Sequence, residues 1–462
     1  MKKMSAVLEW SHSSFSENAA MQSKKSNDSR GATYQALHFS LRFAGLPVIP
    51  ENATSAEKAE IIAQHAARQA RKEAGMRDKE LFNRVRDAIE EGDTEAAAQA
   101  LSHGAPDPRH RAREKQTLLM MAARGGHLKL LPLLIPASDA RDKDKYGRTA
   151  LMHAAECCAP FSALLALLPF SDPAERAANG QTLLMKAVDR RGISENEAER
   201  VVDLLLPLSN PEDRDQIGNT ALMHAARCDF PMAAFKRLLA VSDARATNKQ
   251  GESALLIASN AGHASQVAAL LPHSDVNAKE AQEGNGVLAL AAASAVPLLL
   301  AAGADAKARN NDGQTPLMMA ASMGDESKVA ALIQSSEANA RDAEGKTAFY
   351  LAVEGHEAKC AAMLARVSDA TIQSEEGESA LDWIVKRQQW GMLEAVSETA
   401  SEAMLEHIAI ALAREVGPVT AARLEGLFVS AAMSAGHARA QAQGDGQADA
   451  AKASPRRPPR AL

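Results

Sequence analysis

An all-α solenoid of short two-helix units stacked side by side is the fold class this sequence predicts, and three observations predict it. A block of the form G-x-T/S-x-L-x-x-A-x recurs along the middle of the chain. Apolar residues make up 46% of the composition but aromatics only 3%, so the apolar content is mainly Ala and Leu, which suits closely packed short helices. At 462 residues the chain is also several times longer than one hydrophobic core needs, whereas an array extends its core lengthwise.

The block reads QTLLMMAA from Gln116, RTALMHAA from Arg148, QTLLMKAV from Gln181 and NTALMHAA from Asn219. It continues as ESALLIAS from Glu252, QTPLMMAA from Gln314 and KTAFYLAV from Lys346. Its hydroxyl stands at Thr117, Thr149, Thr182, Thr220, Ser253, Thr315 and Thr347, with a fainter copy at Ser379, giving gaps of 32, 33, 38, 33, 62, 32 and 32. The gap of 62 conceals a unit at Gly286, where GVLALAAA keeps the Leu and the paired Ala without the hydroxyl. The gap of 38 holds extra residues between Asp189 and Arg200, expected as a surface loop between the two helices of that unit. Behind the block come a Gly turn and a Leu-rich run such as LLPLLI or VAALL, so each unit is predicted to hold two short helices. The segment Ile89–Pro108 reads as the end of a capping unit, and the total is about nine to ten.

Each repeated position has a physical reason. The hydroxyl is suited to cap the first helix by accepting from an orphan backbone N–H. Paired alanines, as at Ala122 and Ala123 or Ala225 and Ala226, let neighbouring units approach, so Ala225→Arg is expected to overpack the array. Leu119, Leu151, Leu184, Leu222, Leu255 and Leu317 are expected to form one apolar column, since no unit buries its own hydrophobic face.

This pattern resembles the ankyrin repeat, with its period of about 33 residues and its T-P-L-H-x-A-A signature, over roughly residues 80 to 385. The chain departs from that signature in three ways. The motif Pro remains only at Pro316, and Met120, Met152, Met185, Met223, Leu256, Met318 and Tyr350 replace the motif His, predicting apolar packing in place of a polar network. The second helix is expected to stop at proline, as at Pro136, Pro169, Pro207 and Pro272.

The resemblance implies a non-enzymatic module that binds another protein on its hairpin-like loops and first helices. In the early units the implied contact residues are Arg113, Arg124, Lys145, Tyr146, Arg148, Glu156, Gln181 and Asp189. In the later units they are Asn219, Arg227, Glu252, Asn311, Asp312, Gln314 and Lys346. Cations gather early and acids and amides late, which points to an acidic partner segment near the N-terminal units. Arg148→Ala is expected to leave the melting temperature nearly unchanged.

Other functional classes find little support. The net charge of -6 provides no global basic field for nucleic acid. The apolar stretch Asn285–Ala304 falls in register with the repeats, so it reads as a buried unit and not a membrane span. No secretory leader is evident in the first residues, and Cys157, Cys158, Cys228 and Cys360 show no metal spacing, so a cytoplasmic monomer is expected. A redox switch at Cys157 and Cys158 is weighed against inert packing, which is preferred. His153 and His224 share one repeat position and read as packing histidines. No hydrolase, phosphate-loop or metalloprotease motif occurs, so no catalytic residue, metal or cofactor is expected.

Around the repeat domain, placed at residues 78–385, lies a mostly disordered flank over 1–77 with a helix at 55–75. A helical cap is expected over 386–437, then a disordered basic tail over 438–462 with Arg456, Arg457 and Arg460. Two further readings follow from these flanks: a bacterial effector secreted into a host cell, and a cryptic enzyme in the C-terminal helical region.

Overall fold

The computed structural model describes residues 53–102, 104–156, 160–190 and 192–415. The segments over 1–52 and 416–462, and with them the basic tail and the end of the expected cap over 416–437, lie outside the described residues, as does the pair Cys157 and Cys158. Packing divides the described residues into two compact units: residues 53–85 with 104–110, and 86–102 with 111–415.

Helix α1 spans Ser55–Glu91, well beyond the 55–75 expected, because Gly75 is tolerated inside it. A single interior glycine costs about 1 kcal/mol, which the good helix formers on either side absorb. Thr54 and Glu57 start it with a reciprocal pair of bonds, Glu57 N–H to Thr54 Oγ1 and Thr54 N–H to Glu57 Oε2. In the first compact unit Phe82 and His110 bring their rings to 5.5 Å. The Asp107 amide donates to Asp78.

The second unit begins with α2 (Thr94–Ser102) and continues as nine helix pairs among the described residues. The first helices are α3 (Leu118–Gly125), α5 (Ala150–Glu156), α7 (Leu183–Val188), α9 (Ala221–Arg227), α11 (Ala254–Ala261), α13 (Val287–Leu290), α15 (Pro316–Ser322), α17 (Ala348–Glu354) and α19 (Ala380–Lys386). Their partners are α4 (Leu131–Leu134), α6 (Phe161–Leu167), α8 (Glu195–Leu205), α10 (Met232–Leu239), α12 (Ala264–Leu270), α14 (Val296–Ala301), α16 (Glu326–Leu332), α18 (Ala358–Leu364) and α20 (Trp390–Thr399). Consecutive first helices pack on one another, and so do consecutive second helices, giving two parallel rows with one core between them. The predicted leucine column is buried throughout, and the paired alanines are fully enclosed. A last helix, α21 (Glu402–Glu415), packs on α19. The ninth pair ends at Thr399, so the repeats run past the boundary placed at residue 385.

Capping follows the sequence with one extension. The hydroxyls of Thr117, Thr182, Thr315, Thr347, Ser253 and Ser379 each accept from the amide three residues on, while Thr220 keeps the cap backbone without that bond. The methionines in place of the motif His do more than pack. The sulfurs of Met120, Met185 and Met318 accept from the amides of Thr117, Thr182 and Thr315 at 3.3–3.5 Å, completing a capping box with a thioether.

Two expectations need correction. The proline does not itself end the second helix: the α-helix finishes first, and Pro169, Pro207 and Pro272 sit at the middle of a following 3-10 turn. That position needs no N–H from proline, so a tightened turn accommodates it. The insertion in the third unit is also not all loop, because Ser194 caps α8 early and lengthens it to 11 residues against 7 in α6.

Between pairs, the chain makes tight turns whose tips are joined into a ladder. Lys145 N–H donates to Glu114 O (2.7 Å), Ala178 to Tyr146 O, Gln216 to Asn179 O and Lys249 to Ile217 O. The rungs continue from Ala281 to Gln250 O, Asn311 to Glu283 O, Ala343 to Asp312 O and Glu375 to Glu344 O. Basic side chains reinforce it from outside: Arg214 Nη1 donates to its own Gly218 O and to Thr247 O of the next turn, and Arg176, Arg309 and Arg341 act alike. Gly147 shows why these turns need glycine: its φ is 72°, and a Cβ added there would lie only 2.7 Å from the Ala178 amide nitrogen. Gly147→Ala is expected to cost about 1–3 kcal/mol, read as a lowered denaturation midpoint at unchanged slope; an unchanged midpoint contradicts the close approach.

Candidate protein-binding face

The loop tips and the accessible side of the first helices form one continuous face, and its geometry sorts the implied contact residues into three groups. Arg113, Arg124, Lys145, Tyr146, Asn311 and Asp312 are exposed. Arg148, Glu156, Asp189, Arg227, Glu252, Gln314 and Lys346 are half-buried. Gln181 and Asn219 are buried, with Asn219 accepting from Asn248 Nδ2 (2.9 Å), so they are framework residues and not contact residues. At Gln116, Gln181 and Asn219 the position just before the capping hydroxyl is buried in the layer, which the repeat spacing did not reveal.

Behind the exposed tips lies a charged network centred on Asp144, a residue that the repeat block omits. Asp144, with its side chain fully enclosed, opens the second loop and accepts from the amides of Tyr146 and Arg148. Its other oxygen meets Arg148 Nε at 2.9 Å and His153 Nε2 at 3.0 Å. Arg148 continues to Glu156, and Glu156 to Lys186 of the next unit at 3.3 Å. Burial pushes the Asp144 carboxyl upward, but the Arg148 amide and guanidinium outweigh it and hold it below the ordinary range. Burial, with the Arg148 cation, holds His153 below its ordinary value, as suits a neutral ring.

The same device recurs in the fourth unit, where His224 Nε2 meets Asp215 at 3.0 Å and Cys228 Sγ donates to Asp189 at 2.9 Å. His153 and His224 are thus hydrogen-bonded framework residues, and Asp or Asn three residues before the loop Gly was the readable signal for their partners. In the eighth unit Lys346 joins Glu344 and Glu354, both at 2.8 Å. Burial lowers its pKa, yet the two carboxylates outweigh that and raise it.

The expectation that Arg148→Ala is neutral does not survive this geometry. Removing a guanidinium only 17% exposed strips a cation from an enclosed carboxylate, an expected loss of about 1–3 kcal/mol. Thermal melting of the variant checks it, and a melting temperature within a degree of the parent contradicts the network's role.

Outside the face, donor atoms of Asp78, Asp107 and His110 lie within 4.8 Å of one another. They are engaged with each other and with Arg109, whose hydrogen bonds hold Asp107 down to about 2. Cys360 is buried, which pushes its thiol up to about 11 and makes it a poor nucleophile. No helix among the described residues is long and apolar enough to cross a membrane, and the stretch Asn285–Ala304 folds as α13 and α14 of the sixth pair.

A family model described as ankyrin repeats, in three copies, matches residues 86–174 and 291–376. The helix pairs between those two stretches keep the loop ladder, and Thr182 and Ser253 among them keep the hydroxyl cap. No curated protein is matched by the chain.

Proposed function

We propose, from the premise that this chain is an ankyrin-repeat protein, that it acts as a non-enzymatic scaffold or adaptor holding a partner protein on its loop tips and first helices. Ankyrin repeats in general mediate protein–protein interaction and are typically non-enzymatic. The observation that carries the reading for this chain is the division of labour within each loop. Backbone amides and carbonyls are spent on the ladder, and the residues on either side of the tip, such as Lys145 and Tyr146 or Asn311 and Asp312, face solvent. A rigid row that presents exposed polar and aromatic side chains limits the ordering cost of binding.

The test is a photoreactive residue placed singly in the full chain at Tyr146, Gln216 or Asn311 on this face, and at Leu165 or Arg237 on the second-helix row. Cross-links to a partner in cell extract are expected from the first set alone. Equal capture from Leu165 or Arg237 contradicts the assignment of the face.

A further inference from the structure

We infer that the binding edge is electrostatically polarised, and that its partner presents an acidic peptide segment to the first two units; this rests on the protein-binding reading above. Arg113, Lys115, Arg124 and Lys145 are exposed at that end, and none has an ion-pair partner among the described residues. The one acid among them, Glu114, is already engaged by the Tyr146 hydroxyl at 2.8 Å. Lys145 (5.6 Å) and Arg148 (5.0 Å) both lie over the Tyr146 ring, which gathers positive charge around an exposed aromatic side chain.

The backbone supplies an independent sign. Lys115 stands at the loop position held by glycine in the other eight loops, from Gly147 to Gly377, and takes the same left-handed conformation, with φ of 62°. Glu114 beside it has φ of 59°. A side chain kept in that region is strained, and strain of this kind gathers at ligand-contacting sites. The far end of the same edge carries the opposite sign: Glu283, Asp312, Glu344, Glu375 and Glu376 are all exposed at loop tips. An acidic segment is therefore attracted at one end and repelled at the other, which fixes its position along the face. Nucleic acid is the less suited polyanion. It extends beyond the few cations of this patch, and the chain as a whole carries -6.

The experiment uses the full chain and three benzophenone-labelled probes, a glutamate decamer, a lysine decamer and a thymidine DNA decamer, at low ionic strength. The glutamate probe is expected to cross-link to residues 113–115 and 145–146. Its affinity is expected to fall at least about ten-fold in the triple variant Arg113→Glu, Lys115→Glu, Lys145→Glu and to stay unchanged in Lys249→Glu. Should the triple variant not fold, Arg113→Ser with Lys145→Ser replaces it, with a weaker loss in the same direction. Lysine-decamer cross-links near Glu344 and Glu375 support the polarity. Glutamate cross-links spread over the loops of later units overturn the inference but leave the binding face standing, whereas cross-links on the second-helix row overturn both. No binding of the glutamate probe overturns the inference, as does equal or tighter binding of the DNA at the same residues.

Discussion

Ala225→Arg is expected to lower stability by more than about 4 kcal/mol and to split the unfolding of the array into two transitions. Ala225 is fully buried in α9, at the contact between first helices. Its carbonyl also accepts from Gln266 Nε2 (3.3 Å) of the next unit. An arginine there has no room and no counter-charge, combining overpacking with an uncompensated buried cation, two of the few mechanisms that give losses of this size. Because each unit contacts only its neighbours, the defect is local, and the units on either side of it are expected to melt separately. Calorimetry of the variant against the parent checks this, and a single transition shifted by a few degrees contradicts it.

The second large effect concerns Lys328, which is only 2% exposed and donates through Nζ to Ala289 O at 2.5 Å. It reaches across to the degenerate sixth unit, whose first helix is four residues long, and burial lowers its pKa to about 8. Between about pH 8 and its ordinary value of 10.5 the folded chain holds fewer protons at this site than the unfolded chain. Stability attributable to Lys328 therefore rises with pH across that window, by on the order of 3 kcal/mol, and is flat below it. Gln266 occupies the matching place in α12 and donates to Ala225 O and Phe230 O without a charge. Lys328→Gln is thus expected to raise stability at neutral pH and to remove the slope above pH 8. Denaturant titrations at pH 7, 8.5 and 10 decide it: a parent that does not gain stability with pH, or a less stable variant at pH 7, contradicts the cost assigned to the buried amine.

What the sequence made legible follows from what a repeat exposes. Thr149, Ala154 and Leu151 recur at a fixed period because every layer sets the same packing problem at those places, so their roles were readable by comparing the chain with itself. Lys328 and the four-residue α13 were not, since they solve a problem peculiar to one layer. The thioether caps of Met120, Met185 and Met318 escaped notice because methionine is read first as a packing residue. At the candidate face the row of exposed tips was legible at Lys145, Tyr146, Asn311 and Asp312. The inward turn of Gln181 and Asn219 was not, because one residue of shift along a tight turn reverses the direction a side chain points, and spacing alone does not set that direction. Asp144 and Asp215 were hidden for a related reason, lying just ahead of the block in turns whose only recurring mark was an Asp or Asn three residues before glycine.

Successive loops sit in register and bond tip to tip along the array, and the continuous face depends on those bonds. Hydrogen exchange of single amides tests it directly. The amides of Lys145, Gln216, Lys249 and Asn311, whose side chains point to solvent or sit at exposed tips, donate to the preceding loop and are expected to exchange at least about a hundred-fold more slowly than in an unstructured chain. Exchange of those four amides at the unstructured rate, with the helices still protected, would mean that the loops do not form the ladder and that no continuous face exists.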